Sequence, residues 1–399
     1  MPRFYLDENA TTALDPRVGA VMERLLAAPL GNPSSLHAEG RRARGEIDSA
    51  RDAVAAWLKS KPSEIIFTGG GTESCNLAVQ GLVCANQGRG RHLITAKTEH
   101  HAILHTFEAL ARWKNFEVTF LDVDAEGLVD PEALARAIRP DTLLVSIMSA
   151  NNETGVRQPM RELGAVCARH GVLFHSDAIQ SAGKEEIDLA EWQVSSVSIA
   201  AHKFHGPAGA GLVWLRGGVP LAPLMFGGSH ENERRPGTEN AVAIAGMAEA
   251  VRLHGHPDPA EARRQFQWTE QLWRELGPLG EIRRNGHARQ RLANTLNVSF
   301  SGLHGEDLLI GLDLAGLSVS SGSACMVGSV QPSHVLAAMG VPAGEVQATV
   351  RFSIGSYIRD EDVAEIAARV RQVVNHQRGL RGGKPAPQVE KPTLHEVPV

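Results

Sequence analysis

A run of glycines, two histidine segments, an aspartate and a lysine hold most of the reactive chemistry legible in this 399-residue chain. Thr68-Gly69-Gly70-Gly71-Thr72-Glu73-Ser74 lies between an apolar run and a helical pattern. Glycines admit a ligand close to the backbone, and a helix N-terminus presents N–H groups to an anion. The stretch therefore suits a phosphate, with the Thr72 hydroxyl beside it. It matches neither GxGxxG nor GxxxxGK(S/T), which argues against a dinucleotide fingerprint or a nucleoside-triphosphate loop. A plain strand-to-helix turn is its bland alternative.

Ala200-Ala201-His202-Lys203-Phe204-His205-Gly206-Pro207 follows another apolar run. A lysine at a strand end among small apolar neighbours can act as an amine nucleophile, and the small neighbours leave room for a planar group. A solvated surface lysine is the competing reading. His175-Ser176-Asp177-Ala178-Ile179-Gln180 offers a carboxylate that can pair with a cationic ring nitrogen, or merely cap the next segment. Thr98-Glu99-His100-His101 places an imidazole where it can stack on a ring or move a proton. His101 and His105 share a helix face, but no third ligand at metal-site spacing accompanies them, so no metal site is expected. Ser149–Gly155 adds amide side chains, Asn152 among them.

The four cysteines, Cys75, Cys84, Cys167 and Cys325, are scattered, with no CxxC pair or zinc spacing. That pattern fits a reducing compartment. Cys325 sits in Ser320-Ser321-Gly322-Ser323-Ala324-Cys325-Met326, where nothing bulky shields the sulfur. The other three fall within helical patterns and read as small apolar residues.

These segments need a scaffold that brings them together. Strand-like runs at Glu64–Thr68, His92–Ala96, Glu117–Leu121, Thr142–Met148, Val172–His175, Ser195–Ala200 and Gly211–Leu215 alternate with helical patterns at Thr72–Asn86, His101–Lys114, Pro131–Ala137 and Met160–His170. The alternation predicts an α/β unit with a mainly parallel, seven-stranded sheet. Each reactive segment but the cysteine loop then follows a strand, at the carboxyl edge where open α/β sheets bind ligands. Jointly they describe one site for a phosphorylated planar cofactor. After about Ala250 the pattern changes. Helical Ala260–Glu275, Gly305–Asp313 and Asp360–His376 intersperse with strand-like Thr295–Phe300, Ser318–Ser320 and Ala348–Ile354, which predicts a smaller α+β domain. We place the large domain at 15–255, the small one at 1–14 and 256–376, and a flexible tail at 377–399. The formal charge of −5, 43% hydrophobic residues and 21% charged residues are ordinary for a globular protein and give no global pull toward nucleic acid or anionic membrane. The N-terminal sequence lacks a signal-peptide pattern, so a soluble cytoplasmic protein is expected.

In these residues the chain resembles the cysteine desulfurases that use pyridoxal 5'-phosphate (PLP), in the class V aminotransferase group with the PLP-dependent fold type I. The resemblance runs from Tyr5-Leu6-Asp7-Glu8-Asn9-Ala10-Thr11-Thr12 to about Val374. Gly31-Asn32-Pro33-Ser34-Ser35, Thr98-Glu99-His100, Asn151-Asn152-Glu153, Asp177 with Gln180, His202-Lys203 and Arg351-Phe352-Ser353 match in order. The Ser-Gly-Ser-Ala-Cys loop and Gln331-Pro332-Ser333-His334 resemble the long-loop subgroup that supplies sulfur for iron–sulfur cluster assembly.

The resemblance implies that Lys203 carries PLP and later moves protons, that His100 stacks on the ring, that Asp177 pairs with its nitrogen, and that Gln180 bonds the phenolic oxygen. Gly71, Thr72 and His202 would hold the phosphate. Thr238 would reach the phosphate of a partner subunit, which implies a homodimer. Asn152 and Arg351 would grip the substrate carboxylate, a job suited to a guanidinium fork. L-cysteine would become L-alanine, its sulfur passing to the Cys325 nucleophile as a persulfide and then to an acceptor such as an iron–sulfur scaffold protein.

Three departures stand out. Ala200 replaces a serine that usually donates to the phosphate, a loss of about 1–3 kcal/mol unless something compensates. Ser198 could serve only if the strand register shifted. Met326-Val327 replaces a polar pair after the nucleophile, and Ser229–Glu233 differs from the usual wording near the dimer contact. Selenocysteine lyase and other fold-type I enzymes that do not use Cys325 remain alternatives, as does a non-catalytic scaffold.

Overall fold

The computed structural model describes residues 2–27, 29–321 and 332–380. The chain opens with β1 (Phe4–Tyr5), α1 (Pro16–Leu26) and α2 (Ala38–Trp57). An α/β run follows: β2 (Ile65–Thr68), α3 (Gly71–Ala85), β3 (His92–Ala96), α4 (His101–Lys114), β4 (Glu117–Leu121), α5 (Pro131–Ala137), β5 (Thr142–Ser146), α6 (Met160–Arg169), β6 (Leu173–Asp177), α7 (Leu189–Trp192), β7 (Ser196–Ala200) and β8 (Gly211–Leu215). Local chemistry sets several boundaries. Asp130 accepts from the N–H groups of Glu132 and Ala133 at the start of α5, with Pro131 as its first residue. Asn115 closes α4 in the left-handed conformation.

All seven expected strands join one sheet in the order β2-β8-β7-β6-β5-β3-β4. β8 runs antiparallel to β2 and β7, and the remaining pairs are parallel. Alternation along the strands covers both faces. Ile65 and Phe67 enter a core with Val54 of α2 and Leu163 of α6, whereas Ile66 packs with Leu77 and Phe107 from α3 and α4. The sheet is thus a middle layer, with its parallel edge open at the strand ends.

The remainder comprises α8 (Ala241–His254), α9 (Pro259–Leu276), β9 (Ile282–Asn285), β10 (Thr295–Phe300), α10 (Gly305–Leu314), β11 (Leu317–Ser318), α11 (His334–Ala338), α12 (Ala343–Val346), β12 (Thr349–Ser353) and α13 (Asp362–Leu380). β12, β10 and β9 form a second, antiparallel sheet. Its core gathers Leu272, Val298, Leu308, Phe352 and Val370, and takes in Phe4 and Leu6 from the other end of the chain. β1 pairs in parallel with β11, placing Phe4 opposite Leu317. The helix expected to stop at His376 continues to Leu380, so residues 377–380 are helical and not tail. Val374, one turn before it, is fully buried, and the Arg378 guanidinium bonds the carbonyl oxygens of Leu279 and Gly280. Residues 381–399 lie outside the described residues.

Candidate active site

The carboxyl ends of β2, β3, β5, β6 and β7 converge on a cavity of about 410 Å³. Gly71, Thr72 and His100 line it, with Asn152, Asp177 and Gln180. His202, Lys203 and Arg351 complete the expected set. Thr238 does not line it. That residue is exposed, in the turn before α8. Cys325, with the rest of 322–331, lies outside the described residues.

The phosphate end is built by backbone. Gly70 precedes α3 with φ 143°, and its position gives the helix no side-chain cap. A Cβ added at Gly71 would lie 2.5 Å from Ile179 Cδ1 and 3.3 Å from Ala200 Cβ, so glycine lets the helix start approach this wall without moving Ile179. The uncapped N–H groups of a 15-residue helix then face the cavity beside Thr72. His202 stands opposite, its Nδ1 3.2 Å from the Thr11 hydroxyl. Burial and the Lys203 and Lys184 charges lower its pKa to about 4, leaving the ring neutral.

Asp177 ends β6, almost wholly buried. Its Oδ1 accepts from the Ile179 N–H at 2.9 Å and its Oδ2 from the Cys75 thiol at 3.5 Å. Burial pushes the carboxyl above its usual range, while His100, these hydrogen bonds and Lys203 pull it back. A buried carboxylate in this position calls for a cationic partner. His100 caps α4, its Nδ1 accepting from the Ala102 N–H at 3.1 Å. Burial lowers its pKa first of all, so the ring is neutral and carries its proton on Nε2.

Lys203 follows β7 in a short helical turn, and its ammonium donates to the carbonyl oxygens of Asn9 and Ala10, both at 2.8 Å. Gln180 donates to the Asn9 carbonyl at 2.8 Å and accepts from Lys184 at 3.2 Å. Arg351 on β12 is buried; its Nη2 donates to Asp7 and its Nη1 to the Asn152 carbonyl, while Nε has no partner. Among the described residues these two bonds use two of the five N–H groups of the guanidinium, and the second N–H on each Nη is left for an anion.

A lysine amine, a buried carboxylate, a neutral imidazole, an uncapped helix start and a guanidinium share one cavity. That donor set fits PLP, from its phosphate at α3 to a ring nitrogen at Asp177. Ser198 does not stand in for the missing serine. The register runs unbroken from Ser196 opposite Leu215 to Ala200 opposite Gly211, and Ser198 Oγ is 2.9 Å from His175 Nε2. The unusual Ser229–Glu233 segment has an internal role, since Glu231 accepts from Arg51 and from the Phe67 N–H at 2.9 Å.

Sequence reasoning missed several participants. Asp7, Asn9 and Ala10 were legible only as a matching segment, yet they bond Arg351, Gln180 and Lys203. Their signal was a run of polar residues directly after β1. Cys75, read as a small apolar helix residue, touches Asp177. Lys184 is half-buried beside Gln180 and Lys203, and desolvation brings its pKa down to about 7. His101 and His105 stack at 4.9 Å, and no group of three or more potential ligands for a metal occurs among the described residues. None of the described helices is long and apolar enough to cross a membrane.

Comparison with known proteins agrees with this geometry. Residues 4–366 match the family model described as aminotransferase class-V. The cysteine desulfurase IscS of Dictyoglomus turgidum is 43% identical over 360 residues, covering 90% of this chain and 91% of that protein. A solved structure described as a NifS-like protein superposes with a TM-score of 0.88 at 35% identity, covering 94% of this chain and all of that one. Another, described as SspA in complex with cysteine, gives 0.79 at 34% identity, covering 89% of this chain and all of that one.

Proposed function

Because this chain belongs to the class V aminotransferase family, we propose that it is a PLP-dependent cysteine desulfurase that converts L-cysteine to L-alanine. The observation that carries the reading is the meeting of Lys203, Asp177, His100 and Arg351 in one cavity. The named relatives support cysteine as the substrate.

When bound, PLP supplies an electron sink for charge developing at the substrate α-carbon. The work of the chain is to hold and to move protons. Gly71, Thr72 and His202 would hold the phosphate, and Asp177 would hold a positive ring nitrogen. Gln180, fixed by Lys184 and Asn9, presents its amide to the phenolic oxygen. Lys203 would provide the anchoring amine and afterwards a base for the α-proton. His100, protonated on Nε2, lies where it can pass a proton. Arg351 receives the substrate carboxylate.

Cys325 is the nucleophile in this proposal, on the strength of its loop sequence. Its thiolate attacks the substrate sulfur. A sulfur–sulfur bond forms as the carbon–sulfur bond breaks, and the released electron pair stays with the carbon fragment, which is protonated to alanine. The step needs no outside oxidant. The persulfide then passes to an acceptor protein, such as an iron–sulfur scaffold. We assign the protein to the cytoplasm and to a homodimer. The latter is supported by exposed Thr238 and by Leu36 and Phe226, 89% and 91% exposed, in segments joined by the Ser34–His230 hydrogen bond.

The test is alanine and sulfide release from L-cysteine by the purified protein with PLP and a reductant. Equal amounts of both are expected from the wild type. Cys325→Ala is expected to retain the cofactor's absorbance and to form almost no persulfide. Turnover of selenocysteine alone, or undiminished sulfide release by Cys325→Ala, would replace the reading with one of its alternatives.

A further inference from the structure

Beneath the cavity the hydrogen bonding continues past Asp177 into the interior. Cys75, on the second turn of α3, is fully buried, and its thiol donates to Asp177 Oδ2. Ser198 on β7 lies beside Cys75 and eases the ionisation of its thiol. Ser198 Oγ is 2.9 Å from His175 Nε2, and His175 Nδ1 is 2.9 Å from Ser146 Oγ. All four side chains have no solvent exposure.

One placement of protons satisfies the whole line, inferred from the network as hydrogens must be. Ser146 O–H donates to His175 Nδ1, and Nε2–H donates to Ser198. The Ser198 hydroxyl proton is then left to point toward the Cys75 sulfur, and the thiol donates to the carboxylate. Every proton points toward Asp177. The groups involved hold their protons as this requires. Burial lowers the His175 pKa to about 3, so the ring is neutral, and burial keeps the Cys75 thiol protonated.

From this geometry we infer that Cys75, backed by Ser198, His175 and Ser146, is a positioning relay that keeps the Asp177 carboxylate ionised for the cofactor ring. The inference deepens the PLP reading of the cavity and rests on it. Other charges face the same carboxylate. His100, from the end of β3, and Lys203, after β7, favour its ionisation, while Glu99 opposes it when ionised. Cys75 alone among these side chains donates from the interior side, where no solvent can substitute. A cysteine that only filled space would leave the carboxylate unchanged when replaced.

The test begins with the apoenzyme. Infrared titration of the carboxyl band, assigned with Asp177→Asn, gives the pH at which Asp177 protonates. Cys75→Ala is expected to raise that pH by about half a unit or more, because the charged form loses a donor. Cys75→Ser, which keeps a donor, is expected to lie between Cys75→Ala and the wild type. Ser198→Ala is expected to shift it in the same direction by less. In the PLP-loaded protein the pH midpoint of the cofactor's absorbance should follow the same order. Unchanged apoenzyme midpoints in Cys75→Ala and Ser198→Ala would overturn the relay. Should Cys75→Ala fail to fold, Cys75→Ser and Ser198→Ala decide by the same criterion. The apoenzyme titration needs no cofactor, so a protein that binds no PLP would sink the cofactor reading while leaving the Cys75–Asp177 coupling measurable.

Discussion

Arg351 Nη2 donates to Asp7 Oδ1 at 2.6 Å, so the guanidinium that lines the cavity is already paired on one side. This partner fixes the direction in which the fork presents its remaining N–H groups. Replacing Arg351 with lysine removes the fork and is expected to raise the KM for L-cysteine at least tenfold, on the order of 1.5–3 kcal/mol for a charged hydrogen bond. Asp7→Asn keeps an acceptor and is expected to raise KM by less, with kcat changed little. Steady-state kinetics checks both. An unchanged KM in Arg351→Lys would remove this residue from substrate binding.

Lys203 sits between the phosphate end and the Asp177 end of the cavity, held by the Asn9 and Ala10 carbonyls. Lys203→Ala is expected to lose the absorbance of covalently held PLP and to lower turnover by roughly 10²–10⁴-fold or more, the range of a lost acid–base group. A normal spectrum in this variant would require another amine, and Lys184 is the nearest candidate named by the structure.

Ala200 lines the cavity, and its Cβ lies 3.3 Å from where a Gly71 Cβ would stand. A hydroxyl at this position would face the helix start. Ala200→Ser is therefore expected to tighten PLP binding by roughly 2–10-fold, as one additional hydrogen bond of about 0.5–1.5 kcal/mol. Equilibrium dialysis of the cofactor against wild type and variant measures it. Weaker binding in Ala200→Ser would mean that the site has repacked around the alanine.

Burial holds His175 neutral with a pKa of about 3, against 6.5 for an ordinary imidazole. Above pH 6.5 both folded and unfolded states leave it uncharged. Below that pH only the unfolded chain takes up the proton, so stability falls as pH drops toward 3. The loss is about 1.4 kcal/mol per pH unit, or roughly 2 kcal/mol between pH 6.5 and pH 5 from this residue. His101 and His202, both lowered to about 4, act in the same direction. Denaturant unfolding of the apoenzyme at pH 7 and pH 5 reads the difference, and equal stabilities would contradict a neutral, buried His175.

Most strands of the large sheet were legible because they are short apolar runs bounded by turn residues, and a parallel strand buried on both faces has little else in its sequence. Thr295–Phe300 of the smaller sheet was equally clear. β1 is two residues long and leaves no periodicity to detect, whereas the strand expected at Ser318–Ser320 appears one residue earlier as the two-residue β11. The site was legible wherever a reactive side chain follows a strand, as with His100, Asp177 and Lys203. It was illegible where backbone carbonyls do the work, as at Asn9 and Ala10, and where a helix meets a strand, as between Cys75 and Asp177. Neither kind of contact has a spacing in sequence. The end of α13 was misjudged because the GG and PAP residues that follow suggest loose chain, whereas the Arg378 contacts to the 279–280 turn extend the helix.

Residues 4–10 bond to partners more than 190 positions away: Asn9 and Ala10 to Lys203, Leu6 to Ser318, and Asp7 to Arg351. During synthesis the large sheet has all its strands once residue 215 has emerged, yet Asp7 still lacks the arginine it will bind. Such long-range closures come late in folding. The finished pocket is therefore a signature of a completely made chain. A ribosome that stalls before β12 leaves behind a protein with most of its helices and its central sheet, but without a place for the substrate's carboxylate.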